Sequence, residues 1–301
     1  MVHHKVCPLC SSEKISLYLK CVDSLISKET FDIYKCQTCS FEFTQDYPGE
    51  TDIGKYYESD DYISHSDTSK GLANKIYRIV RSFMLIRKRE LIKNVTDLKK
   101  GSLLDIGSGT GHFANTLLKA GWEVRGIEIN EKVRDFSKIH FGLKIITPEQ
   151  ILTLESESFD CITLWHVLEH FHNPFEYISD INRLLKPGGL CIIALPNSNS
   201  YDANFYKESW AAYDVPRHLW HFNPTTFRIF SEKAGFASEK LRDLPLDVFY
   251  ISIMSEKYRG SGLPFLKGLL IAFPFAMMAL FKKEKSSSVI YILRKSAPEN
   301  L

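Results

Sequence analysis

An α/β fold with a parallel sheet covered by helices on both faces is predicted for residues 99–301, and three observations predict it. Apolar runs of strand length recur at 103–106, 122–129, 143–146, 160–164 and 190–195, as suits strands buried on both faces. Segments of helical pattern alternate with them, such as the one from Pro174 to Leu185, which is the βα order of a parallel sheet. The first strand also runs into a glycine turn, Asp105-Ile-Gly107-Ser108-Gly109-Thr-Gly111.

That turn sets the expected chemistry. Glycines permit positive φ and close approach of a ligand to the backbone, and the helix that follows supplies free N–H groups. The spacing is GxGxG, with His112 where the dinucleotide fingerprint GxGxxG needs its last glycine. The second strand unit ends at Glu128-Ile129, where an acid accepts hydrogen bonds from both hydroxyls of a ribose and repels a 2′-phosphate. A nucleoside-containing cofactor other than a dinucleotide is the expectation.

Composition supports an ordinary globular chain: 301 residues suffice for one large domain and a small one, with 44% hydrophobic and 25% charged residues. The formal charge of +2 gives no reason to expect a nucleic-acid partner. The first residues, Met-Val-His-His-Lys-Val-Cys, lack the apolar core of a signal peptide, so a cytoplasmic location is expected.

Four of the seven cysteines form two pairs, Cys7-x-x-Cys10 and Cys36-x-x-Cys39. In a reducing compartment such knuckles hold metal, and two of them complete the four-sulfur shell of structural zinc. Alternating segments at 14–19 and 30–35 suit hairpin strands feeding the knuckles. Residues 1–46 are therefore expected to be a zinc-ribbon module that folds on its metal. The other three, Cys21, Cys161 and Cys191, suit small buried apolar positions. Residues 47–98 come next, as a turn-rich connector with Tyr56, Tyr57, Asp60, Asp61 and Tyr62, then a long amphipathic helix over 72–94. In that helix Ile76, Ile79, Phe83 and Ile86 alternate with Lys75, Arg81, Lys88 and Arg89. Its basic residues are expected on a solvated face.

The strand over 160–164 ends in Trp165 and His166, at the sheet edge where ligands bind. Here the segments FDCITLWHVLEH and LLKPGGLCIIALPN, with the acid and glycine turn before them, resemble the motif series of the class I S-adenosylmethionine-dependent methyltransferases. With the CxxC pairs and DVPRHLWHF at 214–222, the chain is similar to the bacterial branch carrying an N-terminal zinc ribbon. The resemblance implies a Rossmann-like seven-stranded sheet with an antiparallel last strand and S-adenosyl-L-methionine as methyl donor. It also implies a sugar, glycan or lipid-linked small-molecule acceptor. It carries over Asp105, Gly107, Ser108, Gly109, Gly111, Glu128, Ile129, Gln150, Trp165 and His166 as cofactor contacts, Gln150 through side chain or backbone.

Methyl transfer to oxygen or carbon needs an aligned acceptor and a base. His218 and His221, in a segment rich in aromatics, are the candidate bases, with packing of an aromatic cluster as the alternative for each. Arg217 suits an anionic acceptor group. His112, His166 and His170 are expected to bond or pack near the cofactor, and no catalytic metal is expected. A non-catalytic S-adenosylmethionine-binding protein is the alternative function.

Finally, residues 263–281 are nearly all apolar and sit in a hydrophobic insertion over 257–285. Their length approaches a bilayer span, but the strand expected at 288–294 must return to the same sheet. Basic residues on both flanks suit a helix or hairpin lying on an anionic cytoplasmic membrane surface. A buried helical pair over the active site and a homodimer contact are the alternatives.

Overall fold

The structure is a computed structural model. It describes residues 1–57 and 72–296, apart from the side chains of residues 72–78, 238 and 239. The Asp60-Asp61-Tyr62 part of the connector and the facing of Lys75 and Ile76 lie outside the described residues.

Near the N-terminus, strands β1 (Ile15–Val22), β2 (Thr30–Cys36) and β3 (Glu42–Gln45) form an antiparallel meander. Each CxxC pair sits on a tight turn. Ser11 and Ser40 take positive φ, and their N–H groups bond to the carbonyls of Cys7 and Cys36 at 2.8 and 2.9 Å.

The helix α1 (Leu72–Thr96) then leads to the main sheet. Its strands are β4 (Ser102–Ile106), β5 (Glu123–Ile127), β6 (Lys144–Ile146), β7 (Phe159–Trp165), β8 (Leu185–Pro196), β10 (Phe236–Asp243) and β11 (Ser288–Lys295). Their spatial order is β10-β11-β8-β7-β4-β5-β6, and β11 runs antiparallel to both neighbours. The seven strands and their last antiparallel member match the expectation, and β11 lies between β8 and β10. Strand β8 starts earlier than its apolar run. Leu185 pairs with Phe159 and Leu190 with Cys161, so Lys186-Pro-Gly-Gly189 bulges out within the strand. Among the helices between strands are α2 (His112–Lys119), α3 (Glu131–Phe141) and α4 (Pro174–Leu184).

The ribbon is not a separate unit. Its sheet takes a fourth strand, β9 (Trp220–His221), from within the main domain, with Glu42 opposite His221 and Phe43 opposite Trp220. Phe41 stacks on Trp220 and touches Phe222, so ribbon and main domain share one buried core. Burying rings of this size stabilises by roughly 1.5–3 kcal/mol each. A boundary at residue 46 therefore divides the chain but not its packing.

Between β10 and β11 a helical hairpin is inserted, α7 (Asp247–Tyr258) and α8 (Pro264–Phe281). The shorter helices α5 (Tyr201–Tyr206) and α6 (Pro224–Lys233) precede it. Gly268 lets the two arms of the hairpin touch, because a Cβ there would come within 2.5 Å of the Ile253 backbone. The alternative of a buried pair over the active site does not describe α8. Only 11% of α8 is buried, and Leu270, Phe273 and Phe281 are 66, 62 and 86% exposed.

Candidate active site

The site is built at the carboxyl ends of β4, β5 and β7. Gly107, Gly109 and Gly111 all have positive φ, at 70°, 52° and 76°. Their roles differ. A Cβ on Gly107 would strike Val167 at 2.3 Å and one on Gly111 would strike Leu143 at 2.6 Å, so both are required by packing. A Cβ on Gly109 would meet nothing within 4 Å, and this is the glycine a ligand can approach.

Two acids frame that opening. The Gly109 N–H donates to Glu128 Oε2 at 2.9 Å, while Glu128 Oε1 accepts from the Asn130 N–H at 3.0 Å, so the carboxylate is held at the end of β5 beside the turn. Asp105 is buried and accepts from the Thr163 hydroxyl at 2.7 Å. Burial pushes its carboxyl up to about 6, against that hydrogen bond and the nearby Lys88 charge. A cation arriving beside Asp105 would favour its ionised form. The indole N–H of Trp165 is buried and has no hydrogen-bond partner among the described residues. Open glycine, an acid at the end of β5, a buried acid at the end of β4 and the indole N–H together fit S-adenosylmethionine.

Other sequence-assigned contacts sit differently. Ser108 turns toward β5, its backbone N–H donating to the Ile127 carbonyl and its hydroxyl packed where Gly126 lacks a side chain. Ile129 is exposed. Gln150 caps the 3₁₀ turn Pro148–Thr153: its side-chain oxygen accepts from the Thr147 N–H at 3.0 Å, its N–H donates to the Thr147 carbonyl and its own carbonyl accepts from the Thr153 hydroxyl. His166 adopts φ of 58° and lies 3.0 Å from Asp247 Oδ2 on α7 and 3.5 Å from Glu169 Oε1. Burial alone would lower its pKa, but the Asp247 bond and Glu169 push it up to about 9. His166 is therefore an imidazolium that ties β7 to the hairpin and not a base.

Glu169 is the unforeseen centre of a second cluster. It is buried, and among the described residues neither carboxylate oxygen has a hydrogen-bond partner. Burial opposes its charge, yet His166 and its other histidine neighbours hold the carboxyl below its ordinary range. His218 Nε2 lies 4.0 Å from Glu169 and 4.0 Å from Asp214. His218 Nδ1 is 2.8 Å from the Ala212 carbonyl, and His170 Nδ1 is 3.0 Å from the Arg217 carbonyl and from the Tyr57 hydroxyl. A carbonyl only accepts, so both rings carry a proton on Nδ1, and in a neutral ring Nε2 is then the acceptor nitrogen. Ligand atoms of Glu169, His170 and His218 lie within 4.8 Å of one another. No catalytic metal is expected from the sequence, yet these three side chains are close enough to share one ion.

The rest of 214–222 belongs to the ribbon contact. Arg217 is 1% exposed and donates to Asp23 at 2.9 Å, to Asp214 at 2.6 Å and to the Tyr56 carbonyl at 3.0 Å. Four of its five N–H groups are engaged within the fold, which commits it to the ribbon contact. His221 is buried, 3.0 Å from the Thr44 hydroxyl and edge-on to Tyr213. Burial drives its pKa well below the ordinary value. Its partners are those of the packing alternative.

In the ribbon, Sγ atoms of Cys7, Cys10, Cys36 and Cys39 lie within 4.8 Å of one another, with Cys7 to Cys39 and Cys10 to Cys36 at 3.6 Å. Those separations are far beyond a disulfide. They match the edge of about 3.8 Å of a sulfur tetrahedron around zinc with bonds of about 2.3 Å.

A family model described as a methyltransferase domain matches residues 81–241. The ubiquinone biosynthesis O-methyltransferase of Coxiella burnetii is 31% identical over 134 residues, 42% of this chain and 56% of that protein. That of Hydrogenovibrio crunogenus is 29% identical over 117 residues, 36% of this chain and 48% of that protein. The chain thus spans about half the length of these curated relatives. A solved Galdieria sulphuraria protein, assigned as a sarcosine dimethylglycine methyltransferase, superposes with a TM-score of 0.50 at 14% identity. It covers 72% of this chain and 86% of its own, a likeness of fold. With the acid, glycine turn and second acid in their places on that fold, the chain belongs to the class I S-adenosylmethionine-dependent methyltransferases.

Proposed function

We propose that this protein transfers a methyl group from S-adenosylmethionine to an oxygen of a small molecule. The observation that carries the proposal is the cradle of Asp105, open Gly109 and Glu128 at one sheet edge. The names of the curated relatives support oxygen as the acceptor atom. When bound, the cofactor supplies an electrophilic methyl on a sulfonium. Glu128 holds the ribose hydroxyls and Asp105 faces the ammonium. His218 accepts the acceptor hydroxyl proton on Nε2 while its Nδ1–H stays fixed by Ala212. His221 has no part in this step.

The acceptor class proposed is a sugar, glycan or lipid-linked intermediate at an anionic cytoplasmic membrane surface. Support comes from the exposed apolar arm α8, with exposed Lys257, Arg259, Lys267, Lys282 and Lys283 around it. The same hairpin is joined to the site through Asp247 and His166. Membrane-facing and catalytic parts are thus one connected structure. Co-sedimentation with vesicles containing anionic lipid, but not with neutral ones, is expected at low salt. Absence of binding to either would remove the membrane and leave a subunit contact for α8.

Structural zinc is assigned to Cys7, Cys10, Cys36 and Cys39 on the donor geometry, and elemental analysis should find about one ion per chain. The closeness of Glu169, His170 and His218, with the Glu169 oxygens hydrogen-bonded to nothing among the described residues, favours a second reading of the catalytic cluster, a divalent cation on these three. Turnover that survives exhaustive chelation with the ribbon zinc retained supports His218 as base. Turnover lost to chelation and restored by a divalent cation supports the second reading. Cofactor binding without any methyl transfer would mark a non-catalytic binding protein.

A further inference from the structure

Where α8 meets the rest of the domain, a narrow crevice opens at the foot of the hairpin. Ala276 and Ala279 line it from α8, and Asp202, Asp243, Lys285 and Ser286 bring polar groups to it. Asp202, in the first turn of α5, is fully buried. Its Oδ2 accepts from the Trp210 indole at 2.7 Å and from the Ser287 hydroxyl, while its Oδ1 has no hydrogen-bond partner among the described residues. The buried hydroxyl of Ser286 has none among them either. Buried polar atoms left in this way are costly unless something else completes them. Burial pushes the Asp202 pKa up against the hydrogen bonds it accepts, so a cation entering the crevice would restore its charge.

Charge and size select the occupant. The carboxylates of Asp202 and Asp243 and the Ser286 oxygen are acceptors on one crevice, the complement of a primary ammonium with its three N–H donors. The space admits a group about the size of a water molecule, which suits that ammonium and excludes a trimethylated one. Lys285, whose ammonium donates to Asn199 Oδ1 at 2.7 Å, is partly exposed and places a cation where a phosphate would follow. Phe273, Met277 and Leu280 of the same helix α8 are exposed beside it. We propose that this crevice binds the head of an aminophospholipid, with the ammonium on Asp202, the phosphate on Lys285 and the acyl chains along α8. This rests on the membrane reading of the hairpin and adds which lipid headgroup holds it.

The test is co-sedimentation of the full chain with two sets of vesicles of equal anionic content, the remainder being phosphatidylcholine in one and phosphatidylethanolamine in the other. Binding should be about 10-fold tighter to the ethanolamine set, as one hydrogen bond to a charged group provides. Asp202→Asn keeps an acceptor for Trp210 and removes the charge, and Ala276→Leu fills the crevice from its other wall. Each should erase the preference while still binding the choline set, which also shows that the variant is folded. Equal native affinity for the two sets overturns the assignment. So does a preference that survives in both variants, because interfacial helices respond to lipid packing as well as to headgroups. If the native protein ignores both sets, it is the membrane reading that fails, and thermal melting with soluble headgroups then decides the crevice. Stabilisation by glycerophosphoethanolamine and not by glycerophosphocholine would keep the site, and stabilisation by neither would remove it.

Discussion

The ribbon and the helical hairpin are both additions to the methyltransferase sheet, and they treat their surfaces in opposite ways. The ribbon buries the face it turns to the main domain: Phe41 and Phe43 pack against Trp220 and the aromatics beside it, Thr44 bonds His221, and Asp23 closes on Arg217. The hairpin is fixed by Asp247 at its base and Gly268 at its crossing, yet leaves Leu270, Phe273 and Phe281 to solvent. A part that only supports the fold satisfies its polar groups and hides its apolar ones. An arm left apolar, with lysines around it, is shaped for something outside the chain.

The largest expected effect is on the ribbon side. Cys36→Ser should abolish zinc content and the native thermal transition together, since structural zinc in such modules contributes about 10–16 kcal/mol of apparent binding free energy. Zinc-free protein with native melting would break the contrast. Arg217→Met leaves Asp23 and Asp214 unpaired and should cost about 3–5 kcal/mol in denaturant titration. A rise in KM with stability intact would instead return Arg217 to the substrate.

His218→Ala should lower turnover about 100-fold while leaving S-adenosylhomocysteine affinity near native. His221→Phe should show the reverse pattern, lower stability with cofactor binding retained. If the two variants behave alike, the division of 214–222 into catalytic and packing residues is wrong.

A smaller effect is expected from pH. The hydrogen bonds and charge of Arg217 outweigh burial and hold Asp23 at about 2, below its ordinary 3.8. Its folded pKa is depressed, so the pair's contribution is fully present above the unfolded value and is lost as pH falls from about 4 towards 2. The linked stability is about 2 kcal/mol. Asp23→Asn should flatten that part of the stability profile, and an unchanged acid limb would detach Asp23 from the ribbon contact.

On the hairpin the expected effect on folding is the smallest. Leu270→Gln combined with Phe273→Gln should change stability by less than about 0.5 kcal/mol. The same pair should remove most vesicle binding, because each buried large apolar side chain contributes roughly 1.5–3 kcal/mol. Marked destabilisation would place α8 in the core after all.

What the sequence made legible was local. The β4 strand, its glycines and Glu128 lie within 26 residues of one another, and the CxxC pairs declare their chemistry by spacing. What it hid was contact at long range. Strand β9 has two residues and no periodicity, and the Arg217 partner Asp23 is 194 positions away. Lys88 and Arg81 look alike on a helical pattern, and only the position of Trp165 above α1 separates the first from a solvated lysine. Asp247 sits 81 positions from His166, in a segment whose apolar character drew attention away from its first turn.

The most direct test of the central claim is calorimetric titration of the native protein with S-adenosylhomocysteine and with NAD, repeated on Glu128→Ala. One S-adenosylhomocysteine per chain is expected, with affinity about 10- to 100-fold weaker in the variant through loss of hydrogen bonds to a charged group, and no binding of NAD. Binding of NAD alone, or an affinity indifferent to Glu128, would contradict the account.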